Sequence, residues 1–333
     1  MHGQAPNGII TDQDRAMQNA IEIIFPNMRH RWCLWHILKK LSEMFGNRRH
    51  KNSILSSVHG LVYDTQSPLE FEEKWHTKLV HYERQEHGWL TGLYNDRRCW
   101  VPCYLKNLFW AGMSTTQRSE SINAFFDGYV HSKASLKQFV EQYERALRSK
   151  VEKEFQADFK SFSQMVPCAT RYDMEKQFQL VYTISKFKEF RQEFTGKVYC
   201  EILSVTDSYF DFTYEVRKDI ISNEGMKKQI FTVSFRRENC EFECNCHLFE
   251  FRGIICKHAI SVLIRNDVVL ISKRYILKRW RRDVNRPYMR FPIKHDDFVS
   301  SAEQVRDQQL CNTFTKLADV IAHDEQQCRR IMD

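Results

Sequence analysis

A chain of 333 residues, 42% of them hydrophobic and 24 of them Phe, can build one large core or two ordinary ones, and 7 Pro and 11 Gly are too few for disorder as the default. No apolar run reaches the length a bilayer requires and the first residues lack a secretory apolar segment, so a soluble, intracellular protein with no membrane partner is expected. The net charge of +8 favours polyanionic partners, although a solvated positive surface accounts for it equally well.

Gly8-Ile9-Ile10-Thr11 reads as the end of a short buried strand. Residues 12–25 then read as a helix, with Ala16, Ala20, Ile23 and Ile24 at helical spacing and Pro26 as its stop. Thr11 followed by Asp14 has the form of a capping box over an acidic first turn. Residues 29–45 read as a second helix whose apolar positions are Trp32, Trp35, Ile37, Leu38 and Leu41. Cys33 and His36 fall three apart on one face of it. A complete metal site needs four ligands, so a packed structural pair is favoured there over a metal pair.

Residues 53–108 continue helical and rich in aromatics, 112–117 form a turn or loop, and 120–129 open another helix. A long, charged helical stretch follows from Ser135 to about Phe194, with Leu136, Phe139, Val140, Tyr143 and Leu147 on one side. The texture changes near Gly196. Residues 198–203, 209–214 and 230–235 have the β-branched and aromatic composition of strands, and 257–266 return to a helix.

The 11 cysteines sit singly or in one tight cluster, without the spacing of a disulfide framework. The cluster is Cys244-x-Cys246 followed, after nine intervening residues, by Cys256-x-His258. Zinc takes four soft or borderline ligands in a tetrahedron, and two short pairs separated by a turn supply them. Free cysteines are also common in cores, but four ligand-type side chains in two close pairs favour the metal. Cys240 and His247 are nearby and are not expected to bind. A closed four-ligand set leaves no place for substrate, so one structural zinc ion is expected and no other cofactor.

The run from Cys244 to His258, with its Phe249-Glu250-x-x-Gly253-Ile254 spacer, resembles the SWIM-type zinc finger in the version found in the plant far-red-impaired-response family. Gly253 would allow a backbone turn there, and Phe249, Phe251, Ile254 and Ile255 could cover the site. Ile10-Thr11-Asp12-Gln13-Asp14, Phe25-Pro26, Arg29-His30-Arg31, Cys33-x-x-His36 and Lys39-Lys40 resemble the second half of a Mutator-like transposase core. The segment from Gly112 to Phe126 resembles the same family, with Trp110 where Phe is more usual before Ala-Gly-Met.

The resemblance implies a mostly helical α+β fold: the carboxy-terminal part of a ribonuclease-H-like core with a large helical insertion, then a small β-rich module carrying the finger. The implied divisions are 1–130 for the truncated core, 131–195 for a helical region, 196–268 for the finger module and 269–333 for a basic stretch and helical tail. In such cores three carboxylates hold two divalent ions for phosphoryl transfer. Asp12 would match the second and Glu120 the third, while the first Asp is expected to lie before this chain begins. Both are therefore expected to be vestigial, and the chain is expected not to be an enzyme.

Lys273-Arg274-Tyr275-Ile276-Leu277-Lys278-Arg279-Trp280-Arg281-Arg282 mixes cations with aromatics; inward packing of Tyr275, Ile276 and Trp280 with a secondary charge role is favoured over a phosphate-binding or nuclear-import patch. Leu310, Phe314, Leu317 and Ile321 recur like a short heptad seam, expected to pack on their own domain. The function implied is a nuclear, zinc-binding regulator of transcription in far-red light responses. Its expected partners are DNA, directly or through a longer relative, and family members as homo- or heterodimers, with no small-molecule substrate. The alternatives are a fragment of a DNA transposase and an interaction module that pairs with full-length relatives.

Overall fold

A computed structural model describes residues 6–44, 51–81, 88–130, 134–208, 211–222, 225–284 and 313. The chain divides into two units, Met1–Val284 and Asn285–Asp333, and every element named below lies in the first. The seam at Leu310, Phe314, Leu317 and Ile321 falls outside the described residues.

The chain is mostly helical, with a small antiparallel sheet toward its carboxy-terminal side. It opens on β1 (Gly8–Thr11), α1 (Arg15–Ile24) and β2 (Arg29–Trp32). The two strands pair in parallel, Gly8 opposite Arg29 and Thr11 opposite Trp32. Asp14, not Thr11, caps α1, accepting the Met17 N–H at 2.7 Å, because Thr11 is engaged in the strand. The segment 29–32, read from the sequence as helix, is strand. Four residues are too few for a period to show, and pairing with β1 together with burial of Arg31 and Trp32 overrides local propensity.

The helix begins only afterwards, as α2 (Leu34–Met44), with Leu34, Ile37 and Leu41 buried. Trp35, expected on the apolar side, is instead exposed, with the Lys39 ammonium 5.1 Å from its ring. Then come α3 (Lys51–Asp64), α4 (Pro68–His81), α5 (Gly88–Asn95) and α6 (Pro102–Leu105). They gather around Phe71, Trp75 and Trp100 in one apolar cluster with Trp32, Ile37 and Leu41. Trp100 is fully buried, and its indole N–H donates to the Leu93 carbonyl at 2.8 Å.

After a loop, α7 (Gln117–Asp127) leads to α8 (Leu136–Ser163). Ser135 starts α8 with a complete capping box: its hydroxyl accepts the Gln138 N–H, and the Gln138 side chain accepts the Ser135 N–H. The single long helical stretch expected to Phe194 is three helices: Pro167 and the buried Glu175 break it after Ser163, and at Tyr182 and Thr183 the backbone turns to pair with Trp280 and Arg282 instead. The Glu175 carboxylate accepts the Ala169 and Thr170 N–H groups at 2.8 Å each, which fixes the intervening loop.

The next helices, α9 (Asp173–Val181) and α10 (Ile184–Gly196), share one apolar core with a four-stranded antiparallel sheet. Its strands are β3 (Cys200–Ser208), β4 (Asp211–Ser222), β5 (Gly225–Arg236) and β6 (Glu241–Cys244), in that spatial order. Tyr214 and Val216 on β4 stand opposite Val233 and Phe231 on β5, and the period of two sends all four to the inner face. Phe178, Phe187, Phe190 and Phe194 from the helices complete this second core, which crosses residue 196 where the composition shifts. The 273–280 stretch forms two short 3-10 turns, with Tyr275 buried and stacked on Phe242 at 4.0 Å. Among the described residues no helix is long and apolar enough to cross a membrane.

Candidate metal centre

Cys244 ends β6, where it stands opposite Val233 and is buried. Beyond it the side chain of Asn245 takes over the pairing. Its carbonyl oxygen accepts the Thr232 N–H at 3.1 Å, while the backbone N–H of Asn245 donates to the Thr232 carbonyl at 3.0 Å. The chain therefore curls instead of continuing as strand, and the His247 N–H closes a turn on the Cys244 carbonyl at 2.9 Å. Cys246 is carried round to the same side as Cys244.

His247 adopts φ +51 and starts a five-residue helix, α11 (Leu248–Arg252), which ends at Gly253 with φ +71. Only a residue without Cβ suits that end. A methyl group at Gly253 would lie 2.1 Å from Leu277 Cδ1 and 2.7 Å from Trp280 Nε1. Ile254 and Ile255 then go into the core, and Cys256 caps α12 (Lys257–Arg265), its sulfur accepting the Ala259 N–H. His258, on the first turn, is buried with its ring stacked 3.8 Å from that of Phe231.

These turns bring one donor atom from each of Cys244, Cys246, Cys256 and His258 within 4.8 Å of one another. The His258 Nδ1 lies 3.7 Å from the Cys244 sulfur, and its Nε2 is buried without a hydrogen-bond partner. Four donors on zinc bonds of about 2.3 Å stand roughly 3.8 Å apart, so the cluster is close to the size the ion requires. Three thiols and an imidazole, packed this closely with nothing else to share their protons, also have the donor chemistry of zinc. Burial pushes the Cys256 thiol well up. The Cys246 thiol is held well down, because the Cys244 and Cys256 sulfurs donate to it and His258 lies close. A dication would stabilise the remaining thiolates. The set fits a structural Zn2+.

His247 stands apart from the sulfurs. It forms a separate group with Glu243 and Glu250, its Nδ1 3.7 Å from a Glu250 oxygen. Sequence reading passed over that group; the Glu-x-x-x-His-x-x-Glu spacing across the turn was its only signal. Cys240 is turned to the Arg237 carbonyl.

Of the transposase-like residues, Cys33, His36 and Glu120 come together beyond β2. Asp12 follows β1 and is exposed. Glu120 is exposed in the first turn of α7; it accepts the Thr116 hydroxyl at 3.1 Å and lies 3.6 Å from His36 Nε2. Cys33 precedes α2 instead of sharing its face with His36. It is buried, and its sulfur accepts the Thr116 N–H at 3.3 Å and the Thr116 hydroxyl at 3.4 Å. Cys33, His36 and Glu120 are thus linked through Thr116, a link no motif indicated. Among the described residues no group of three metal-ligating side chains includes Asp12 or Glu120.

Residues 1–40 match the MULE transposase domain and residues 238–267 the SWIM zinc finger. Three similar proteins of Arabidopsis thaliana illustrate the relationship. FAR1-RELATED SEQUENCE 5 is 39% identical over 85% of this chain and 35% of its own length. FAR-RED IMPAIRED RESPONSE 1 is 33% identical over 96% of this chain and 38% of its own length. FAR1-RELATED SEQUENCE 1 is 30% identical over 100% of this chain and 48% of its own length. The chain spans less than half the length of these relatives. No solved structure matches it.

Proposed function

We propose, for a homologue of the far-red-impaired-response proteins with MULE and SWIM domains, that this chain is the transposase-derived portion of a nuclear regulator of light-responsive transcription. The observation that carries the reading is likeness over most of the chain to relatives of which one is named for an impaired far-red response. In this reading β1, α1, β2 and α7 belong to a ribonuclease-H-like core within residues 1–130, followed by a helical region at 131–195. Residues 196–268 form the finger module, and 269–333 carry the basic stretch and tail. Cys244, Cys246, Cys256 and His258 hold one zinc ion that fixes the turn at α11 and takes no part in chemistry, since all four positions of a tetrahedral ion are filled by protein. The protein acts in the nucleus through DNA and through related chains, and Asp12 and Glu120 do no catalysis.

A reporter gene under far-red control, assayed in plant nuclei, tests this directly. The double variant Asp12→Ala, Glu120→Ala should regulate it as the unaltered protein does. Parallel assays join labelled DNA ends with magnesium or manganese. Strand joining that disappears in the double variant would establish the transposase reading in its place.

A further inference from the structure

Alternation along β6 sends successive side chains to opposite faces of the sheet. Phe242 and Cys244 go inward, and Glu243, paired opposite Ser234, is left exposed on the other face. The turn after Cys246 then brings in His247, and Glu250 follows three positions later, one turn along α11. One donor atom from each of Glu243, His247 and Glu250 lies within 4.8 Å of the other two. Strand, turn and helix each contribute one member, so the meeting is a product of the fold and not of one element's period.

The partners these three side chains lack point to a cation. His247 Nδ1 is buried and has no hydrogen-bond partner, a state that buried ring nitrogens rarely keep. The Glu250 oxygen stands 3.7 Å from it, too far for a hydrogen bond. Two donors on metal bonds of about 2.1 Å stand roughly 3.0–3.4 Å apart, so an ion between them needs only a small closure. Among the described residues neither Glu243 nor Glu250 forms an ion pair with Lys or Arg. Arg274, on the wall of the same cleft, is engaged by Glu241 instead. Two carboxylates therefore converge on an imidazole with their charge uncompensated, and a dication would balance both. Glu243 and Glu250 also line a cleft of about 720 Å³, so an ion held there would keep coordination positions open to solvent. That distinguishes it from the closed zinc set.

We propose that Glu243, His247 and Glu250 form a second metal site, which takes an exchangeable Zn2+ ion. An imidazole with two carboxylates suits a borderline dication better than magnesium or calcium, which prefer oxygen donors throughout. The ion ties β6 to α11 on the outside of the turn that Cys244, Cys246, Cys256 and His258 hold from within. The site shares no ligand with that set and does not depend on the regulatory reading.

The test uses the full chain carrying one equivalent of zinc and freed of excess. Addition of zinc chloride, followed by native mass spectrometry and calorimetry, should reveal a second, weaker equivalent that is filled by about 0.1 mM free zinc. His247→Asn suits the left-handed backbone at φ +51, so the turn is kept while the imidazole is removed. It should weaken the second equivalent by more than about tenfold and leave the first in place. Glu250→Gln should do the same with unchanged circular dichroism, and Glu238→Gln, a nearby exposed carboxylate outside the group, should leave both equivalents as they were. Absence of a second equivalent overturns the proposal. So does a second equivalent that survives His247→Asn or Glu250→Gln, which would be adventitious binding elsewhere on the surface. Loss of both equivalents together in these variants overturns it too, since the three side chains would then serve the finger's own zinc.

Discussion

At Gly253 two constraints act on one residue: a left-handed backbone, and Leu277 and Trp280 pressed against the space a side chain would take. Each constraint is costly alone, and neither can relax without moving the 3-10 turns that pack on the finger. We expect Gly253→Ala to lower stability by about 2–4 kcal/mol in urea unfolding. Cys256 carries a different burden, as a ligand, as the cap of α12 and as a wholly buried side chain. Cys256→Ser should reduce bound zinc below one equivalent by native mass spectrometry; full retention would remove Cys256 from the ligand set.

Arg31 is the least expected single residue. Its guanidinium is buried, with Nη1 donating to the Met113 carbonyl at 3.2 Å and Nε and Nη2 unpartnered. It sits 5.2 Å from the Trp110 ring and 6.0 Å from that of Phe251. Burial pulls its pKa from 12.5 to about 10. The folded state thus disfavours the charge, a penalty present in full below pH 10 and relieved only as pH rises toward 12.5, worth roughly 3 kcal/mol. Arg31→Met keeps most of the volume without the charge and should be neutral or stabilising. Arg31→Ala should cost about 3 kcal/mol through the cavity it leaves, and chemical denaturation of the two variants separates these terms.

Among the described elements, the finger carries the Cys/Cys/Cys/His set that fits a structural zinc, and its stability is expected to depend on that ion. Between β6 and α12 there is only the five-residue α11, too short to persist without its surroundings, so the zinc bonds must hold the turn. Chelation should abolish hydrogen-exchange protection of the amides from about 244 to 256. It should leave α4 to α6 protected, because Phe71, Trp75 and Trp100 lie in a separate cluster. Loss of protection in both regions together would show that the finger supports the amino-terminal core as well. The helices from 135 to 196 show where local reading stops. Pro167 was the only mark of a break in the sequence, and the buried Glu175 forms its hydrogen bonds only across the folded loop.

Within Met1–Val284 two apolar cores meet at a seam that includes Arg31, Trp110 and Phe251. The Trp110 and Gly112 N–H groups both donate to the Phe251 carbonyl at 3.1 Å, and Arg31 lies under the same contact. The seam therefore ties the MULE-like beginning of the chain to the SWIM-like finger through α11. The zinc set, the role of Gly253 and the β-rich texture of the finger were legible in the sequence. The zinc set and the turn at Gly253 rest on contacts within some fifteen positions, where spacing along the chain nearly equals arrangement in space, whereas the pressure of Leu277 and Trp280 on Gly253 does not. Tertiary structure alone decided that residues 29–32 are strand, that Cys33 and Glu120 share Thr116, that Arg31 is buried and that the large apolar side chains of α8 such as Leu136 and Phe159 are exposed. All of these depend on which distant surface covers a side chain, and periodicity shows only that an apolar face exists, not what lies against it.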